Sequence, residues 1–303
     1  MSFIVTILGS NSATPAFNRN PTAQLLRIGQ EHLLVDCGEG TQMRLLALKQ
    51  RASRIRYIFI SHLHGDHYLG LVGLLSSLHL NGREEDMHLF GPPGLADILT
   101  VQFKYSNTYL CYRIHFHEIS TTPETILDAE AFTVSTLPLS HRIHCMGFLF
   151  REKAGKRRIN KNLLPPTLSV HHLKRLKEGK DLFDPAGNLL HRNEDLTLPP
   201  REPRSYAFCS DTRYEERLVD YVRGVSLLYH ESTFLDEQRE RAAETFHSTA
   251  RQAATIAKLA GVDKLVLGHY SSRYRDLAPF LTEAREVFPN AVLSIEGEDI
   301  EVE

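Results

Sequence analysis

The chain has 303 residues, of which 42% are hydrophobic and 24% charged, a balance that excludes the disordered and collagen-like classes. Its net charge of −2 hides a segregation, because residues 151–180 carry ten basic and two acidic side chains. The four cysteines are widely spaced and form no Cys-x-x-Cys pair, which argues against a disulfide scaffold. The amino terminus does not resemble a signal peptide, and the longest apolar stretch, 68–80, is too short to span a bilayer. We therefore expect a cytoplasmic protein without a membrane segment.

Hydrophobic patterning predicts strands that alternate with helices along most of the chain. The predicted strands are 4–8, 25–28, 33–35, 57–60, 132–137, 207–208, 227–229 and 265–267. The predicted helices are 42–49, 69–80, 215–222 and 249–259. For the last helix, Ser248 is the expected N-cap and Gly261 the residue just past the end. Strands that alternate with helices indicate an α/β architecture.

Residues 151–204 differ from the rest of the chain. They contain the basic cluster, several prolines and one amphipathic helix candidate, 169–177. We expect an inserted basic arm within a single domain that spans 1–303. A concentration of positive charge of this kind is typical of a surface that binds a phosphate backbone, although a solvated basic insertion has the same composition.

The strongest chemical signal follows the predicted strand 57–60. His62, His64, Asp66 and His67 place four potential metal ligands within six residues, which is too dense for a packed core. Imidazole and carboxylate are the donors that suit a catalytic zinc site. Three more such residues come just past the end of an apolar run, where α/β sheets place their sites: His141, Asp211 and His269. Together they predict a metal site at one edge of the sheets.

These motifs resemble those of a known family. The match includes Leu8-Gly9, 36–42 (DCGEGTQ), the His62–His67 loop, 210–212 (SDT), 230–234 (HESTF), 247–249 (HST) and 269–274 (HYSSRY). The His62–His67 loop resembles the metallo-β-lactamase superfamily, and the other motifs resemble, within it, the short form of ribonuclease Z, a family of tRNA 3′-processing endonucleases. The resemblance implies the αβ/βα sandwich of that superfamily with a protruding arm.

The resemblance also implies two Zn²⁺ per subunit. One would be held by His62, His64, His141 and Asp211, and the other by Asp66, His67, Asp211 and His269. Asp66 would accept a proton from the attacking water, and His247 would donate one to the departing 3′ oxygen. Glu231 would orient or tune His247, or would serve only as a structural hydrogen-bond partner.

The implied substrate is precursor tRNA, cut after the discriminator nucleotide by a homodimer whose arm is a tRNA-binding exosite. The cut would leave a 3′-hydroxyl on the tRNA and a 5′-phosphate on the trailer. Candidate RNA-binding residues are Arg157, Arg158, Lys161, Lys174, Arg175, Lys177, Lys180 and Arg19. Phe17 replaces the lysine of the family's Pro-x-Lys-x-Arg-Asn loop, so the response to CCA ends stays open.

Two other functions remain possible at this point. The chain could be a general phosphodiesterase or another hydrolase of the same fold, for which tRNA is incidental. It could also be a non-catalytic RNA-binding protein, although ligand-type residues at all seven positions argue against a scaffold that has lost its chemistry.

Overall fold

A computed structural model describes residues 2–303. These residues form two compact units, one that contains the residues up to Arg151 together with Arg204–Glu303, and one made of Glu152–Pro203. In the described part of the chain, no helix is both long and apolar enough to cross a membrane.

Strands and helices are numbered along the chain. The larger unit contains two seven-stranded sheets, and the first has the order β18-β1-β2-β3-β4-β5-β6. Its strands are β1 (Phe3–Gly9), β2 (Ala23–Ile28), β3 (Glu31–Val35), β4 (Ile55–Phe59), β5 (Met87–Gly91), β6 (Ile114–Glu118) and β18 (Asp299–Glu301). The strands β3 to β6 run parallel, so their carboxyl ends meet at one edge of the sheet.

The second sheet has the order β17-β16-β15-β14-β9-β8-β7. Its strands are β7 (Thr125–Asp128), β8 (Phe132–Pro138), β9 (Met146–Glu152), β14 (Ser205–Cys209), β15 (Leu227–Glu231), β16 (Lys264–Gly268) and β17 (Ala291–Leu293). The strands β14 to β17 are parallel, which again gathers their carboxyl ends at one edge.

The helices of the larger unit lie between these strands in the sequence. They are α1 (Thr41–Ala47), α2 (Gly65–Tyr68), α3 (Leu71–Leu80), α4 (Leu95–Tyr105), α7 (Leu218–Tyr221), α8 (Arg239–Thr245), α9 (Ala250–Ala260) and α10 (Ala278–Arg285).

Apolar side chains sort these elements into four layers. Aromatic residues such as Phe59, Phe148 and Phe208 fill the space between the two sheets. Leu74 of α3 packs on the outer side of the first sheet, and Ile256 of α9 packs on the outer side of the second. Burial of these two helix faces and both faces of each sheet provides the main favourable contribution to folding. The predicted αβ/βα sandwich is confirmed.

All eight predicted strands are confirmed, with bounds that differ by at most two residues. The helices predicted at 42–49, 69–80 and 249–259 are present as α1, α3 and α9. The helix predicted at 215–222 shrinks to the four residues of α7. Some elements have no counterpart in the prediction, among them β5, β6, β9, α8 and α10. Several of these are short or half-exposed, so their periodicity is weak.

The N-cap predicted for α9 is wrong by one residue. The hydroxyl of Thr249 accepts the backbone N–H of Gln252, and the Gln252 side chain accepts the Thr249 N–H in return, which forms a capping box. The Ser248 hydroxyl instead donates to the Thr212 carbonyl at 2.7 Å. Gly261 ends the helix with a φ of +62°, as predicted.

The smaller unit, Glu152–Pro203, has a small core of its own. Leu176, Leu182 and Leu196 are buried there together. Its elements are β10 (Arg158–Ile159), α5 (Val170–Lys177), β11 (Leu182–Phe183), β12 (Leu189–His191), α6 (Asn193–Leu196) and β13 (Thr197–Leu198). Helix α5 matches the predicted 169–177 helix, and Ser169 caps it. The exposed basic side chains of this unit include Arg158, Lys161, Lys174, Lys177 and Lys180.

Candidate metal centre

The loop that follows β4 carries four of the seven predicted ligands. His62 and His67 are fully buried, whereas His64 and Asp66 are half-buried at the cavity described below. The neighbouring DCGEG segment packs directly against this loop, because a Cβ on Gly38 would lie only 2.4 Å from the backbone oxygen of Asp66. Only glycine allows so close an approach of two backbones.

The remaining three predicted ligands come from the second sheet. His141 follows β8, Asp211 follows β14, and His269 follows β16. The backbone at His269 has a φ of +60°, which is strained for a residue with a Cβ and is often found at functional sites. The sheet edges therefore bring together ligands that are far apart in the sequence.

The first group of donors contains His62, His64, His141 and Asp211. The Nδ1 atom of His64 lies 3.1 Å from the Nε2 atoms of both His62 and His141. The Oδ2 atom of Asp211 lies 3.6 Å from His62 Nε2 and 3.7 Å from His141 Nε2. Ligands about 2.0–2.1 Å from a tetrahedral zinc are separated by roughly 3.3 Å, so these spacings fit one metal ion.

The second group contains Asp66, His67 and His269. The Nε2 atoms of His67 and His269 lie 3.3 and 3.5 Å from Asp66 Oδ2. The same two nitrogens lie 3.3 and 3.1 Å from Asp211 Oδ1. Asp211 therefore faces one group with each of its two oxygens, as a ligand that bridges two metal ions would.

The surroundings of two buried ring nitrogens show whether these residues could hold a metal ion. The Nε2 atoms of His67 and His269 are buried and have no hydrogen-bond partner. A buried polar atom without a partner is costly, and both nitrogens point at carboxylates in a cluster of ligand type. A cation between them would satisfy both lone pairs, so the donor set fits a metal.

In two of the imidazoles, the ring nitrogen that faces away from the donor groups forms a hydrogen bond that fixes the orientation of the ring. The Nδ1–H of His67 donates to Asp36 Oδ2 at 2.7 Å, and the buried Asp36 also accepts the backbone N–H of Ser61. The Nδ1 of His141 lies 3.1 Å from the Phe246 carbonyl. With Nδ1 protonated, the Nε2 lone pair of each ring faces the cluster, and such outer partners are typical of metal-binding histidines.

Thr233 connects the second group to a further pair of residues. Its hydroxyl lies 3.0 Å from His269 Nδ1 and donates to Glu231 Oε2 at 2.8 Å. The other oxygen, Glu231 Oε1, accepts from His247 Nδ1 at 2.8 Å. Glu231 is fully buried, so its charge is screened little by water.

This pair holds His247 in its charged form. Burial alone would lower the pKa of His247, but the carboxylate of Glu231 raises it to about 9. Burial raises the pKa of Glu231, and the facing His247 outweighs this effect and lowers it. At neutral pH the pair is an imidazolium beside a carboxylate, with a proton at His247 Nε2 available to a bound molecule.

The site opens into a cavity of about 380 Å³. His64, Asp66, Asp211 and His247 line it together with the loop between β1 and β2 and with Arg142. The cavity therefore gives a ligand access to both donor groups and to His247 at once.

The structure brings all nine predicted catalytic and metal-binding residues of the larger unit to this one place. It does not bring Arg19 to the cavity lining, because that side chain donates to Asn11 Oδ1 and to the Tyr274 carbonyl. His230 is buried outside the described metal-binding groups, and its Nδ1 lies 2.7 Å from the carbonyl of Glu231.

Sequence reasoning missed the residues that support the ligands. Asp36 lies at the end of β3, inside the DCGEG motif, so its position after a strand was the available signal. Thr233 lies in the HEST motif, but nothing in the sequence indicates that its hydroxyl contacts both His269 and Glu231.

Comparison with known proteins relates this site to a family. The chain is 48% identical to the protein named Ribonuclease Z of Cytophaga hutchinsonii over 298 residues, which cover 98% of this chain and 95% of the relative. Human tRNase Z, short form, has a TM-score of 0.74 and 29% identity, with 99% of both chains covered. The metallo-beta-lactamase fold protein YhfI from Bacillus subtilis has a TM-score of 0.69 and 21% identity, with 99% of this chain and 100% of that chain covered, which shows the shared fold.

A family model described as Anti-Pycsar protein Apyc1 matches residues 3–154. This part of the chain belongs to the family that the model describes, and it carries five of the seven candidate ligands, up to His141. The likeness that covers nearly the full length of the chain is to the Ribonuclease Z of Cytophaga hutchinsonii and to human tRNase Z, short form. The chain as a whole belongs to the ribonuclease Z family of metallo-β-lactamase-fold enzymes.

Proposed function

We propose that this chain is a zinc-dependent endoribonuclease that removes 3′ trailers from precursor tRNA. It cuts after the discriminator nucleotide, with a 3′-hydroxyl left on the tRNA and a 5′-phosphate on the trailer. The single observation that carries this proposal is the pair of donor groups joined by Asp211, which fits two metal ions at one phosphodiester.

Each zinc ion has its own set of protein ligands in this proposal. One would be held by His62, His64, His141 and Asp211, and the other by Asp66, His67, His269 and Asp211. Two bound zinc ions would supply a water of lowered pKa and neutralise charge that builds on the phosphate oxygens.

Asp66 is the proton acceptor on the attacking side. Its Oδ2 atom accepts the backbone N–H of Ala13 at 2.7 Å, which fixes the carboxylate at the cavity. The ring nitrogens of His67 and His269 hold the pKa of Asp66 well below its usual range, against the effect of burial. Asp66 is therefore ionised, and transfer of a proton to so weak a base would need a water whose own pKa bound zinc ions lower.

His247 is the proton donor on the leaving side. Its Nδ1 is committed to Glu231, so the Nε2–H is the proton that can be transferred to the departing O3′ when the P–O3′ bond breaks. Glu231 is a positioning residue, because it touches His247 and holds that ring in its tautomer and charge state.

The basic arm, residues 151–204, binds the tRNA through its phosphates. Five of its predicted RNA-binding side chains are exposed: Arg158, Lys161, Lys174, Lys177 and Lys180. The side chains of Arg157 and Arg175 are half-buried and donate to Thr197 Oγ1 and to the Asp181 carbonyl. Exposed lysines and an exposed arginine suit recognition of a charged shape rather than of a sequence.

The first prediction concerns Asp211. Asp211→Ala removes a ligand from both donor groups, so purified protein loses bound zinc and cleaves a 3′-extended precursor tRNA at least 1,000-fold more slowly, on the order expected for loss of metal catalysis. Asp263→Ala changes an exposed carboxylate before β16 and serves as the control. Elemental analysis and single-turnover cleavage provide the measurements. Precursor cleavage at the native rate by Asp211→Ala would contradict the assignment.

The second prediction concerns the protonation of His247. Its raised pKa means that the proton is retained at neutral pH and lost as the pH rises through about 9. Glu231→Gln removes the charge that raises this pKa, so the alkaline fall in cleavage rate shifts to lower pH. NMR titration of the histidine ring protons in zinc-loaded protein checks the same shift directly.

A matched control separates a local contact from a general change of charge. Glu244→Gln removes an exposed carboxylate three residues before His247 and should leave the pH profile where it is. Identical pH profiles for the Glu231 and Glu244 variants would exclude a role of Glu231 through His247.

The third prediction concerns the arm. Replacement of Arg158, Lys161, Lys174, Lys177 and Lys180 by glutamine should raise KM for precursor tRNA at least tenfold and flatten the dependence of KM on salt, because fewer phosphate contacts are lost as salt rises. Hydrolysis of a small phosphodiester should be unchanged. Equal losses on both substrates would favour the alternative of a general phosphodiesterase, and zinc-free protein that still binds tRNA tightly would favour a non-catalytic RNA-binding protein.

We also propose that the enzyme is a cytoplasmic homodimer. Exposed apolar side chains support an interface, since Met43 and Leu46 of α1 are 75% and 79% exposed. Helix α3, which contacts α1, ends at Leu80, which is 81% exposed. Sedimentation of the native protein should give twice the chain mass, and Met43→Asp with Leu46→Asp should give the monomer. A native monomer at micromolar concentration would refute the dimer.

A further inference from the structure

The loop between β1 and β2, residues 10–21, forms one wall of the cavity. Ser12, Ala13, Thr14, Pro15 and Pro21 line it opposite the metal-binding residues. The backbone at Ala13 and at Phe17 has φ values of +60° and +53°, which residues with a Cβ adopt only when their surroundings impose them. Something must therefore hold this loop in its conformation.

The carboxylate of Glu296, near the carboxyl terminus, holds both ends of the loop. Its Oε1 atom accepts the backbone N–H of Ser10 at 3.1 Å and that of Asn20 at 2.6 Å. Its Oε2 atom accepts Asn20 Nδ2 at 2.7 Å and lies 3.6 Å from a guanidinium nitrogen of Arg44. The Glu296 side chain is only 8% exposed, so these charge-assisted hydrogen bonds are largely shielded from water.

The loop in turn contacts the metal-binding residues from two sides. The N–H of Ala13 donates to Asp66 Oδ2 at 2.7 Å, the oxygen that faces His67 and His269. Backbone hydrogen bonds of 2.9 Å also join Ser12 N–H to the Tyr270 carbonyl and Tyr270 N–H to the Ser10 carbonyl, next to His269. A displacement of the loop would therefore move or release the carboxylate of Asp66.

We propose that Glu296 is a positioning residue for the second metal group, acting through the loop and the Ala13–Asp66 hydrogen bond. By closing the two ends of the loop onto one carboxylate, it fixes the orientation of Asp66 and the wall against which the substrate lies. This role rests on the ligand set of the proposed function, but it does not depend on which phosphodiester the enzyme cuts.

The test compares Glu296→Gln with Glu298→Gln in zinc-loaded, full-length protein. Glutamine at 296 has the same size but presents an NH₂ group to at least one of the loop's donors, so at least one hydrogen bond is lost. Glu298 is exposed two residues away, and its side chain serves as the matched control. Two readouts besides activity are measured: amide hydrogen exchange of peptides that cover 10–21, and zinc affinity by competition with a chelator.

For Glu296→Gln we expect about tenfold faster exchange confined to the loop, and about tenfold weaker binding of one of the two zinc ions, in line with loss of an outer partner of a metal site. In an Asp66→Asn background the same substitution should change zinc affinity less than twofold, because the coupling runs through Asp66. Exchange that accelerates across both sheets would show a merely structural role. Loop exchange and zinc affinity equal to those of Glu298→Gln would overturn the proposal.

Cleavage rates on two different substrates distinguish the role of Glu296 from the proposed function. For Glu296→Gln we also expect a fall in cleavage rate, of the same size for precursor tRNA and for a small phosphodiester. If the native protein cut no precursor tRNA, the proposed function would fail, while the exchange and zinc measurements would still decide the role of Glu296.

Discussion

The structure depends on one buried carboxylate between two groups of imidazoles. Asp211 is 2% exposed, and its two oxygens face separate donor groups from the carboxyl ends of strands in both sheets. Burial of a lone charge would be costly, and the facing His269, His67 and His62 hold the pKa of Asp211 well below its usual range against the effect of burial. Cations bound at this position would neutralise the carboxylate and occupy the nitrogens of His67 and His269, which have no other hydrogen-bond partner. The fold therefore gathers, at one edge of the sandwich, donor atoms that a bound cation would occupy.

The positions of the candidate ligands depend on the residues that form hydrogen bonds with them from behind. His67 is held by Asp36, His269 by Thr233, His141 by a carbonyl and Asp66 by the N–H of Ala13. The contacts on the three histidines commit the ring nitrogen that a metal would not need, whereas the Ala13 N–H binds Asp66 Oδ2, the oxygen that faces His67 and His269. Preorganisation of this kind reduces the cost of binding and keeps the two groups in register for a phosphodiester.

The sequence was informative where the signal is local. The dense His62–His67 loop and the polar residues that follow β8, β14 and β16 are visible because parallel strands converge at their carboxyl ends. Support from distant residues was not visible: Asp36 contacts a ring 31 residues away, and Glu296 contacts Asn20 across 276 residues. Even the cap of α9 was ambiguous, because Ser248 and Thr249 are both good capping residues and only the Gln252 bond selects between them. The division of ligands between two zinc ions came from family resemblance, since spacing alone does not determine it.

In the proposed function, binding of tRNA needs exposed positive charge, whereas the reaction needs charged groups held in place by burial. The two kinds of charge lie in different parts of the sequence. The arm concentrates exposed lysines in a small unit around three buried leucines, and in the proposed function long-range attraction to phosphate would tolerate imprecise positions of these side chains. At the candidate metal centre Asp211 and Glu231 are buried, and in the proposed reaction a shift of about 1 Å there would misalign a reacting phosphate. The near-neutral total of −2 is thus the sum of two regions with different physical requirements. Salt should consequently weaken substrate capture far more than the chemical step, since screening acts on exposed charges and hardly on buried ones.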